Sequence, residues 1–342
     1  MADTSDNARD NRARTRMTNE YQLLDSTKMR KIIGIGETIL DIIFRRNEQG
    51  EWQPQKSVAG GSTFNSIITL GRLGMNATLI TELGNDRVGN DILQFMQHNG
   101  VSTDYIDVYH HKDGMTPISL AYMDENNNAS YTFYRQYPVE RLNVAMPLIG
   151  ENDIVILGSY FSIDPTLRKR IVEILEFART RKAIIYYDPN FRKAHSHEVI
   201  KLMPNVIENL EYANIVRGSD EDFETLYNMR DPQKVYIDKI KFYCPNFIYT
   251  RGADGIEFFS NQGHCHYDSP AIGKPVSTIG AGDTFNAGIL FGLIRHNITL
   301  AQLNTLSLDE WKPILQYALD FSSRVCMCHD NYLPTEIAQQ YR

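Results

Sequence analysis

The stretch Ser277-Thr-Ile-Gly-Ala-Gly-Asp-Thr-Phe-Asn-Ala-Gly288 joins a glycine-rich turn to an apolar segment. The apolar segment predicts a helix from about Asp283 to Ile294. The first turn of a helix leaves backbone N–H groups without intrahelical partners, and the helix dipole favours negative charge there. Small residues let a ligand approach these groups closely, so the turn predicts an anion site. Two roles are open for Asp283: it accepts a proton beside that anion, or it only caps the helix, as Asp often does.

Apolar strands and amphipathic helices alternate along most of the remaining chain. Strands are predicted at 31–36, 77–83, 153–157, 183–187, 213–216 and 246–249, and the predicted helices include 61–72, 86–99 and 166–179. In the helix from 61 to 72, Ser62 or Thr63 is expected near the N-cap, and Gly74 follows its end. The alternation predicts an α/β fold in which helices cover both faces of a mostly parallel central sheet.

Two segments depart from this alternation. Residues Ile42–Val58 predict a short hairpin around Asn47-Glu-Gln-Gly50, and Thr116–Arg135 predicts two strands joined at Asn126-Asn-Asn128. Apolar residues recur at every second position in these strands, which is typical of antiparallel strands with one apolar face. Such strands do not fit easily into the middle of a parallel sheet. We therefore expect a small antiparallel β-layer that forms a lid over the edge of the large domain.

Composition and charge exclude several classes of protein. Hydrophobic residues make up 42% of the 342 residues, which is enough for a buried core and excludes disorder over most of the chain. No run approaches the ~20 apolar residues of a membrane-spanning helix. The net charge of -7 argues against a general nucleic-acid binder. Four cysteines without a disulfide framework, and no apolar secretion signal, predict a cytoplasmic protein.

The first 28 residues differ from the rest of the chain. They are rich in Asp, Asn, Arg and Thr, and neither a strand nor a helix period emerges from them. We expect residues 1–28 to form an exposed N-terminal tail. One domain is expected over residues 29–342, with the lid strands as part of it.

Polar or glycine-rich segments follow several of the predicted strands. They are Asp41, Val58–Asn65, Asp188-Pro-Asn-Phe-Arg192, Arg217–Asp222 and Thr250–Gly255. Each of them alone would also fit a tight turn without a ligand. In an open parallel sheet, however, ligands bind beyond the carboxyl ends of the strands. The convergence of these segments at one edge therefore predicts a ligand site there.

Taken together, these segments resemble the signatures of the ribokinase-like (PfkB) carbohydrate kinases, and within that family they are most similar to the fructokinases. The resemblance extends from Met29 to about Cys328. Its motifs are Gly60-Gly61 through Asn65, Gly71-Arg-Leu-Gly74, Gly84-Asn-Asp86 with Gly89, Asp188-Pro-Asn-Phe-Arg192 and Gly280-Ala-Gly-Asp-Thr-Phe-Asn-Ala-Gly288. Matches in this order are far more specific than a lone short motif. The resemblance implies a three-layer ribokinase-like sandwich with a small β-lid.

The resemblance also implies a role for each matching residue. It makes Asp283 the catalytic base, and Gly280, Ala281 and Gly282 the anion hole for the transferred phosphoryl group. The implied sugar-binding residues are Asp41, Gly60, Gly61, Asn65, Arg135 and Arg192. The implied nucleotide-binding residues are Ser219, Thr250, Gly252, Gly255 and Asn286.

Two departures from the family pattern concern cations. The family's Asn-x-x-Glu, which organises magnesium and its waters, is replaced by Ser219-Asp-Glu-Asp222. Asp222 keeps the charge on a shorter side chain, so we expect it to reach Mg²⁺ through water. The family often has Asp at the position of Ser277, where it helps to hold a monovalent cation. The serine puts activation by such a cation in doubt.

The resemblance implies an ATP-dependent kinase that phosphorylates a primary hydroxyl of a monosaccharide, with D-fructose as the first candidate. The alternatives are 2-keto-3-deoxygluconate, because Arg135 suits a carboxylate, and then ribose or a nucleoside. A catalytically weak sugar or nucleotide sensor on the same fold is the alternative that the substituted cation positions leave open. The expected partners are the sugar, ATP with Mg²⁺, and a second copy of the chain bound through the lid, rather than nucleic acid or a membrane.

Overall fold

The computed structural model describes residues 30–110, 112–124 and 129–342. The predicted tail at 1–28 and the predicted turn at Asn126–Asn128 lie outside the described residues. The strands are β1 (Lys31–Ile35), β2 (Ile39–Arg46), β3 (Trp52–Gly60), β4 (Asn76–Gly84), β5 (Val101–Ser102), β6 (Ile106–Tyr109), β7 (Met115–Met123), β8 (Ala129–Gln136), β9 (Ile154–Gly158), β10 (Ile184–Asp188), β11 (Ile215–Ser219), β12 (Asn246–Thr250), β13 (Ile256–Ser260) and β14 (Gly263–Tyr267). The α-helices are α1 (Ser62–Arg72), α2 (Arg87–His98), α3 (Arg168–Thr180), α4 (Val199–Tyr212), α5 (Asp220–Tyr227), α6 (Pro232–Val235), α7 (Ala281–Arg295), α8 (Leu300–Leu303), α9 (Leu308–Cys326) and α10 (Thr335–Ala338).

The central sheet has the strand order β14-β13-β12-β11-β10-β9-β1-β4-β5, and β6 also pairs with β4. The strands from β12 to β5 in this order run parallel to one another. Strands β13 and β14 add an antiparallel hairpin at one edge. The predicted mostly parallel sheet is therefore confirmed. Its parallel strands end at one common edge, where three of the predicted ligand segments lie at the ends of β10, β11 and β12.

Helices cover both faces of this sheet. Successive residues of a strand point to opposite faces, and β1 shows this directly. Ile32 packs in one core with residues of α1, α2, α7 and α9, whereas Ile33 packs in a second core with residues of α3. This arrangement confirms the three-layer α/β sandwich. In the part of the chain that the structure describes, no helix has the length and apolar character needed to cross a bilayer.

A separate four-stranded sheet, which we call the lid, has the order β3-β2-β7-β8. The predicted hairpins are both present, as the antiparallel pairs β2–β3 and β7–β8. The lid is not purely antiparallel, however, because β2 and β7 join the hairpins as a parallel pair. The hairpins also extend over 39–60 and 115–136 rather than 42–58 and 116–135. Asp41 consequently lies within lid strand β2 instead of following β1 as predicted.

Two predicted helix starts are corrected by backbone geometry. The N-cap of α1 is Gly61, at φ 127°, so Ser62 and Thr63 follow the N-cap directly, as predicted, although no side chain caps this helix. Helix α7 begins at Ala281, two residues before the predicted start at Asp283, and its N-cap is Gly280. In both cases a glycine in a conformation that other residues rarely adopt makes the turn into the helix. Helix α1 therefore begins one residue later than predicted, and α7 begins two residues earlier.

Candidate active site

Asp283 lies in the first turn of α7 and is held from α1. Its Oδ1 accepts a hydrogen bond from Ser62 Oγ at 2.7 Å, and its Oδ2 accepts one from Asn65 Nδ2 at 2.8 Å. Its backbone carbonyl accepts a third from Ser66 Oγ at 2.8 Å. Because the N-cap of α7 is Gly280, the alternative in which Asp283 only caps the helix is wrong. The structure instead fixes this carboxylate between two helices.

The surroundings of Asp283 make its carboxyl group less acidic than that of an ordinary aspartate. Burial raises its pKa to about 6, while the hydrogen bonds from Asn65 and Ser62 and the charge of Arg192 act in the opposite direction. A carboxyl with this pKa is ionised at neutral pH and is a better base than an exposed aspartate. General bases work best when their pKa lies near the working pH. The side chain is therefore equipped to take a proton from a nearby hydroxyl.

Asn65 brings a free acceptor to the same place. Its Nδ2 is used by Asp283, but its Oδ1 is buried without a hydrogen-bond partner among the described residues. A buried acceptor of this kind costs roughly 1–3 kcal/mol when it stays unpaired. A ligand hydroxyl would satisfy it. This orphaned oxygen is the observation in the structure that supports the predicted substrate-binding role of Asn65.

The backbone of the turn before α7 strongly favours glycine at position 280. Gly280 has a φ of 81°, and a Cβ there would lie 2.1 Å from the backbone oxygen of Asn331. Its carbonyl accepts a hydrogen bond from the amide of Thr284 at 2.8 Å. The residues between them form the first helical turn, whose amides lack partners within the helix. The amide of Ala281 already donates to the carbonyl of Thr278 at 3.3 Å, and the anion-binding role of Gly280, Ala281 and Gly282 stays a prediction.

Asp41 joins the lid to this site. Its Oδ1 accepts a hydrogen bond from the hydroxyl of Ser119 on the neighbouring strand β7. A Cβ on Gly60 would lie 2.8 Å from its Oδ2, so the glycine leaves room for the carboxylate. Burial raises the pKa of Asp41, and the charge of Arg192 lowers it. The charge of Arg192 also lowers the pKa of Asp283, so this guanidinium lies within electrostatic reach of both carboxyl groups.

Glu37 and Ser159 were not among the predicted site residues. Ser159 Oγ donates to Glu37 Oε2 at 2.9 Å, and the carboxylate of Glu37 lies close enough to Asp41 to raise its pKa. Ser159 is buried and has φ 52° and ψ -169°, a region that is almost exclusive to glycine. Strain of this kind is concentrated at functional sites. No sequence signal marks Ser159, because only the backbone angles reveal it.

Asp188 is the centre of a second buried network of hydrogen bonds, which lies near the start of α7. Arg217 Nη1 donates to Asp188 Oδ2 at 2.9 Å, and Asn286 Nδ2 donates to the same oxygen at 2.6 Å. Arg217 Nη2 donates to Thr250 Oγ1 at 2.8 Å. Asn286 Oδ1 accepts from the hydroxyl of Tyr186 at 2.8 Å. The amide of Asn286 is therefore used at both ends inside the protein, and its predicted contact with the nucleotide stays a prediction.

Ser219 and Asp222 form a capping box at the start of α5. Asp222 Oδ2 accepts from both the amide and the hydroxyl of Ser219, each at 2.7 Å, and Oδ1 accepts from the amide of Phe191 at 2.7 Å. Burial raises the pKa of Asp222. With both oxygens engaged, the carboxylate suits contact with a cation through water better than direct ligation. Among the described residues, no group of three or more His, Cys, Asp or Glu side chains is arranged to hold a metal ion.

The remaining predicted residues lie around the rim of the site. Gly252 and Gly255 belong to the 3₁₀ turn after β12, with φ values of 53° and 84°. Arg135 is exposed on lid strand β8, and its guanidinium lies 4.3 Å from the centre of the Phe133 ring. Ser277 Oγ accepts from the amide of Ile279 at 3.2 Å, a contact local to its own loop. The nucleotide-binding role of the two glycines, the sugar-binding role of Arg135 and the effect of Ser277 on cation binding stay predictions.

A carboxylate of raised pKa beside a helix N-terminus suits phosphoryl transfer. Comparison with known proteins points to the same chemistry. The profile described as pfkB family carbohydrate kinase matches residues 29–311. The chain belongs to the pfkB family of carbohydrate kinases. It is therefore a sugar phosphotransferase, which confirms the resemblance drawn from its motifs.

Individual members of the pfkB family show the same relationship. A fructokinase of Rhizobium leguminosarum bv. trifolii is 26% identical over 281 residues, which cover 82% of this chain and 84% of that protein. A 5-dehydro-2-deoxygluconokinase of Geobacillus thermodenitrificans is 24% identical, with 79% and 83% covered. The crystal structure of a fructokinase with bound ATP from Xylella fastidiosa superposes with a TM-score of 0.75 at 18% identity, covering 91% of this chain and 97% of that one.

Proposed function

We propose that this pfkB kinase transfers the γ-phosphoryl group of ATP to a primary hydroxyl of D-fructose, at the 6-position. The observation that carries the proposal is the position of Asp283 within the first turn of α7. A carboxylate of raised pKa lies there beside amides suited to a phosphoryl group. The similarity to a fructokinase supports the choice of sugar.

In the proposed reaction, Asp283 takes the proton of the sugar hydroxyl. The hydroxyl oxygen forms a bond to the γ-phosphorus, the bond from that phosphorus to the β–γ bridging oxygen breaks, and ADP leaves. Catalysis of such a transfer depends mainly on positioning and on stabilising charge. The amides around Gly282 stabilise the charge of the moving phosphoryl group. Asn65 Oδ1 and Asp41 accept hydrogen bonds from sugar hydroxyls and so orient the attacking oxygen.

Magnesium and ATP are the expected companions of this reaction. When bound, Mg²⁺ neutralises charge on the phosphates. Asp222 would hold its waters, because both oxygens of this carboxylate already accept protein hydrogen bonds. The 3₁₀ turn with Gly252 and Gly255 would accommodate the nucleotide, and Ser277 argues against a dedicated monovalent cation. We further propose a cytoplasmic homodimer in which lid strands of two copies cover each other.

A second candidate substrate is a sugar acid. Arg135 lies exposed on the lid, and its charge acts on Tyr160, which follows β9 at the edge of the site. A guanidinium there would pair with a carboxylate. The relative named 5-dehydro-2-deoxygluconokinase adds support for an acidic acceptor. Arg135→Gln would raise the KM of a sugar acid while leaving that of a neutral sugar unchanged.

A coupled assay of ADP release over a panel of acceptors tests the proposal. The panel contains D-fructose, 2-keto-3-deoxygluconate, 5-dehydro-2-deoxygluconate, D-ribose and adenosine, each with and without EDTA. We expect the highest kcat/KM with D-fructose and no turnover in EDTA. The Asp283→Asn protein, purified in parallel, controls for contaminating kinases. A higher kcat/KM with a sugar acid would replace fructose as the substrate, and a chain inactive with the whole panel would support the sensor alternative.

A further inference from the structure

Arg217 lies directly beneath the glycine turn that begins α7. It is the third residue of β11 and is only 5% exposed. If Gly282 carried a Cβ, that atom would lie 3.0 Å from both Nη1 and Nη2 of Arg217 and 3.3 Å from its Cζ. The guanidinium therefore occupies the place where a side chain at position 282 would be. Gly282 is small because this cation packs against its backbone.

The same guanidinium connects two other loops at the edge of the sheet. Nη1 donates to Asp188 at the end of β10, and Nη2 donates to Thr250 at the end of β12. A planar guanidinium holds its donors in a fixed fork, so these two contacts also fix the plane that faces Gly282. Three segments that come from distant parts of the chain thus meet on one side chain.

The pairing with Asp188 does not by itself explain an arginine at this position. Buried ion pairs are often no more stabilising than apolar residues of the same volume. Here Nε of Arg217 stays buried without a partner, which adds a further cost. A residue kept at such a cost is better explained by what it positions than by the stability that it adds.

We propose that Arg217 is a positioning residue for phosphoryl transfer. Its guanidinium holds the first turn of α7 against the loops that follow β10 and β12. The amides near Gly282 then face the phosphoryl group, and the proposed nucleotide-binding loop after β12 keeps a fixed position relative to them. The inference rests on the proposed kinase reaction. Arg217 acts through Gly282 and Thr250, and it has no contact with Asp41 or Asn65 in the acceptor half of the site.

The test compares Arg217→Met and Arg217→Lys with a control variant of a residue at the amino ends of the parallel strands. Arg30 is 9% exposed, precedes β1 and donates to the carbonyl of Asn152. Arg30→Met therefore removes another buried guanidinium away from the site. For each protein, kcat and the KM values for sugar and ATP are measured per folded molecule, with the folded fraction taken from circular dichroism.

We expect Arg217→Met to lower kcat ~100-fold, the loss typical of a misplaced reacting group or of one lost oxyanion donor. The KM for sugar should change less than ~2-fold, because the pairings of Asp41 and Asn65 are untouched. Arg217→Lys should recover the melting temperature but stay at least ~10-fold slow, since an ammonium cannot fork to both neighbours. Arg30→Met should lower the melting temperature and keep kcat.

Two results would overturn the proposal. One is a normal kcat per folded molecule in Arg217→Met, which would make the residue structural only. The other is full recovery of kcat by lysine, because charge alone would then suffice. A wild-type protein without activity toward any acceptor would contradict the proposed reaction instead, so the two failures are distinguishable.

Discussion

Asn65 Nδ2 lies 2.8 Å from Asp283 Oδ2 and joins two helices whose contact residues are 218 positions apart in the sequence. Asn65 belongs to the first Gly-Gly segment and Asp283 to the second glycine turn. The bond places the proposed acceptor-binding side chain and the proposed base on one unit, since α1 and α7 pack together. In the proposed reaction, this arrangement keeps the attacking hydroxyl aligned with the carboxylate that deprotonates it.

Asp283→Asn should abolish most turnover without loss of binding. The amide keeps the size of the side chain but cannot take the proton, and a positioned general base contributes ~10²–10⁴-fold to a rate. Steady-state kinetics should show this loss in kcat, while calorimetry should give sugar and ATP affinities close to those of the wild type. A variant that retains kcat would remove Asp283 from the role of base.

The pH profile should report the raised pKa of Asp283. The base must be ionised to act, and burial raises its pKa to about 6. Activity should therefore be full above pH ~7 and fall about tenfold per pH unit well below 6, in kcat/KM for the sugar. The measurement is the rate between pH 4.5 and 8, with folding checked at each pH by circular dichroism. A profile flat down to pH ~4.5 would contradict this assignment.

Asp41→Ala should weaken sugar binding while leaving ATP binding intact. A hydrogen bond to a charged group is worth roughly 1.5–3 kcal/mol, so the KM for sugar should rise ~10–100-fold. Asp91→Ala is the matched control, because Asp91 forms only an exposed ion pair with Arg87. If the two variants had the same sugar KM, Asp41 would not belong to the acceptor pocket.

Two changes at Ser159 separate its hydroxyl from its strained backbone. Ser159→Ala and Ser159→Gly both remove the bond to Glu37, so both should raise the sugar KM by a similar factor if Glu37 faces the acceptor. Only glycine relieves the strain, so Ser159→Gly should be more stable than Ser159→Ala by ~1–3 kcal/mol in urea unfolding. An unchanged sugar KM in both variants would exclude Glu37 from substrate recognition.

Gly280→Ala should destabilise the protein and lower kcat together. The positive φ costs ~1–2 kcal/mol for a residue with a Cβ, and here the new atom would also collide with the Asn331 carbonyl. Gly50→Ala is the control, because Gly50 has φ 79° but no atom within 4 Å of its would-be Cβ. Equal melting temperatures for the two variants would show that the turn adapts and that the close approach is unimportant.

The motifs predicted the parts of the site that depend on local chain geometry. The glycine turn before Asp283 and the Gly-Gly segment before Asn65 each lead directly into a helix of mainly small and apolar residues, which is buried along nearly its whole length. The alternation of apolar strands and helices was also sufficient for the three-layer sandwich. These features are local, and local patterns are what a sequence displays directly.

Features that depend on distant pairing were missed or misplaced. Asp41 was placed after β1 because nothing local shows that β2 begins at Ile39 and pairs with β7. The hairpin of β13 and β14 was not predicted as strands, since His264 and His266 make one face of β14 polar, and Glu257 accepts from both. Arg217 lies in one of the predicted ligand segments, but its contact with Gly282 exists only in the folded chain.

The parallel pairing of β2 with β7 fastens both hairpins of the lid into one plate. Asp41 and Ser119 lie opposite each other in this parallel pair and are hydrogen-bonded, so the position of one depends on that of the other. In the proposed reaction, the lid's share of the acceptor site therefore comes from two chain segments, 39–60 and 115–136, while Asn65 and Arg192 supply the rest from outside the lid. An engineer who grafts a new acceptor preference onto this kinase must exchange both segments at once, because either alone would carry half of the parallel pair.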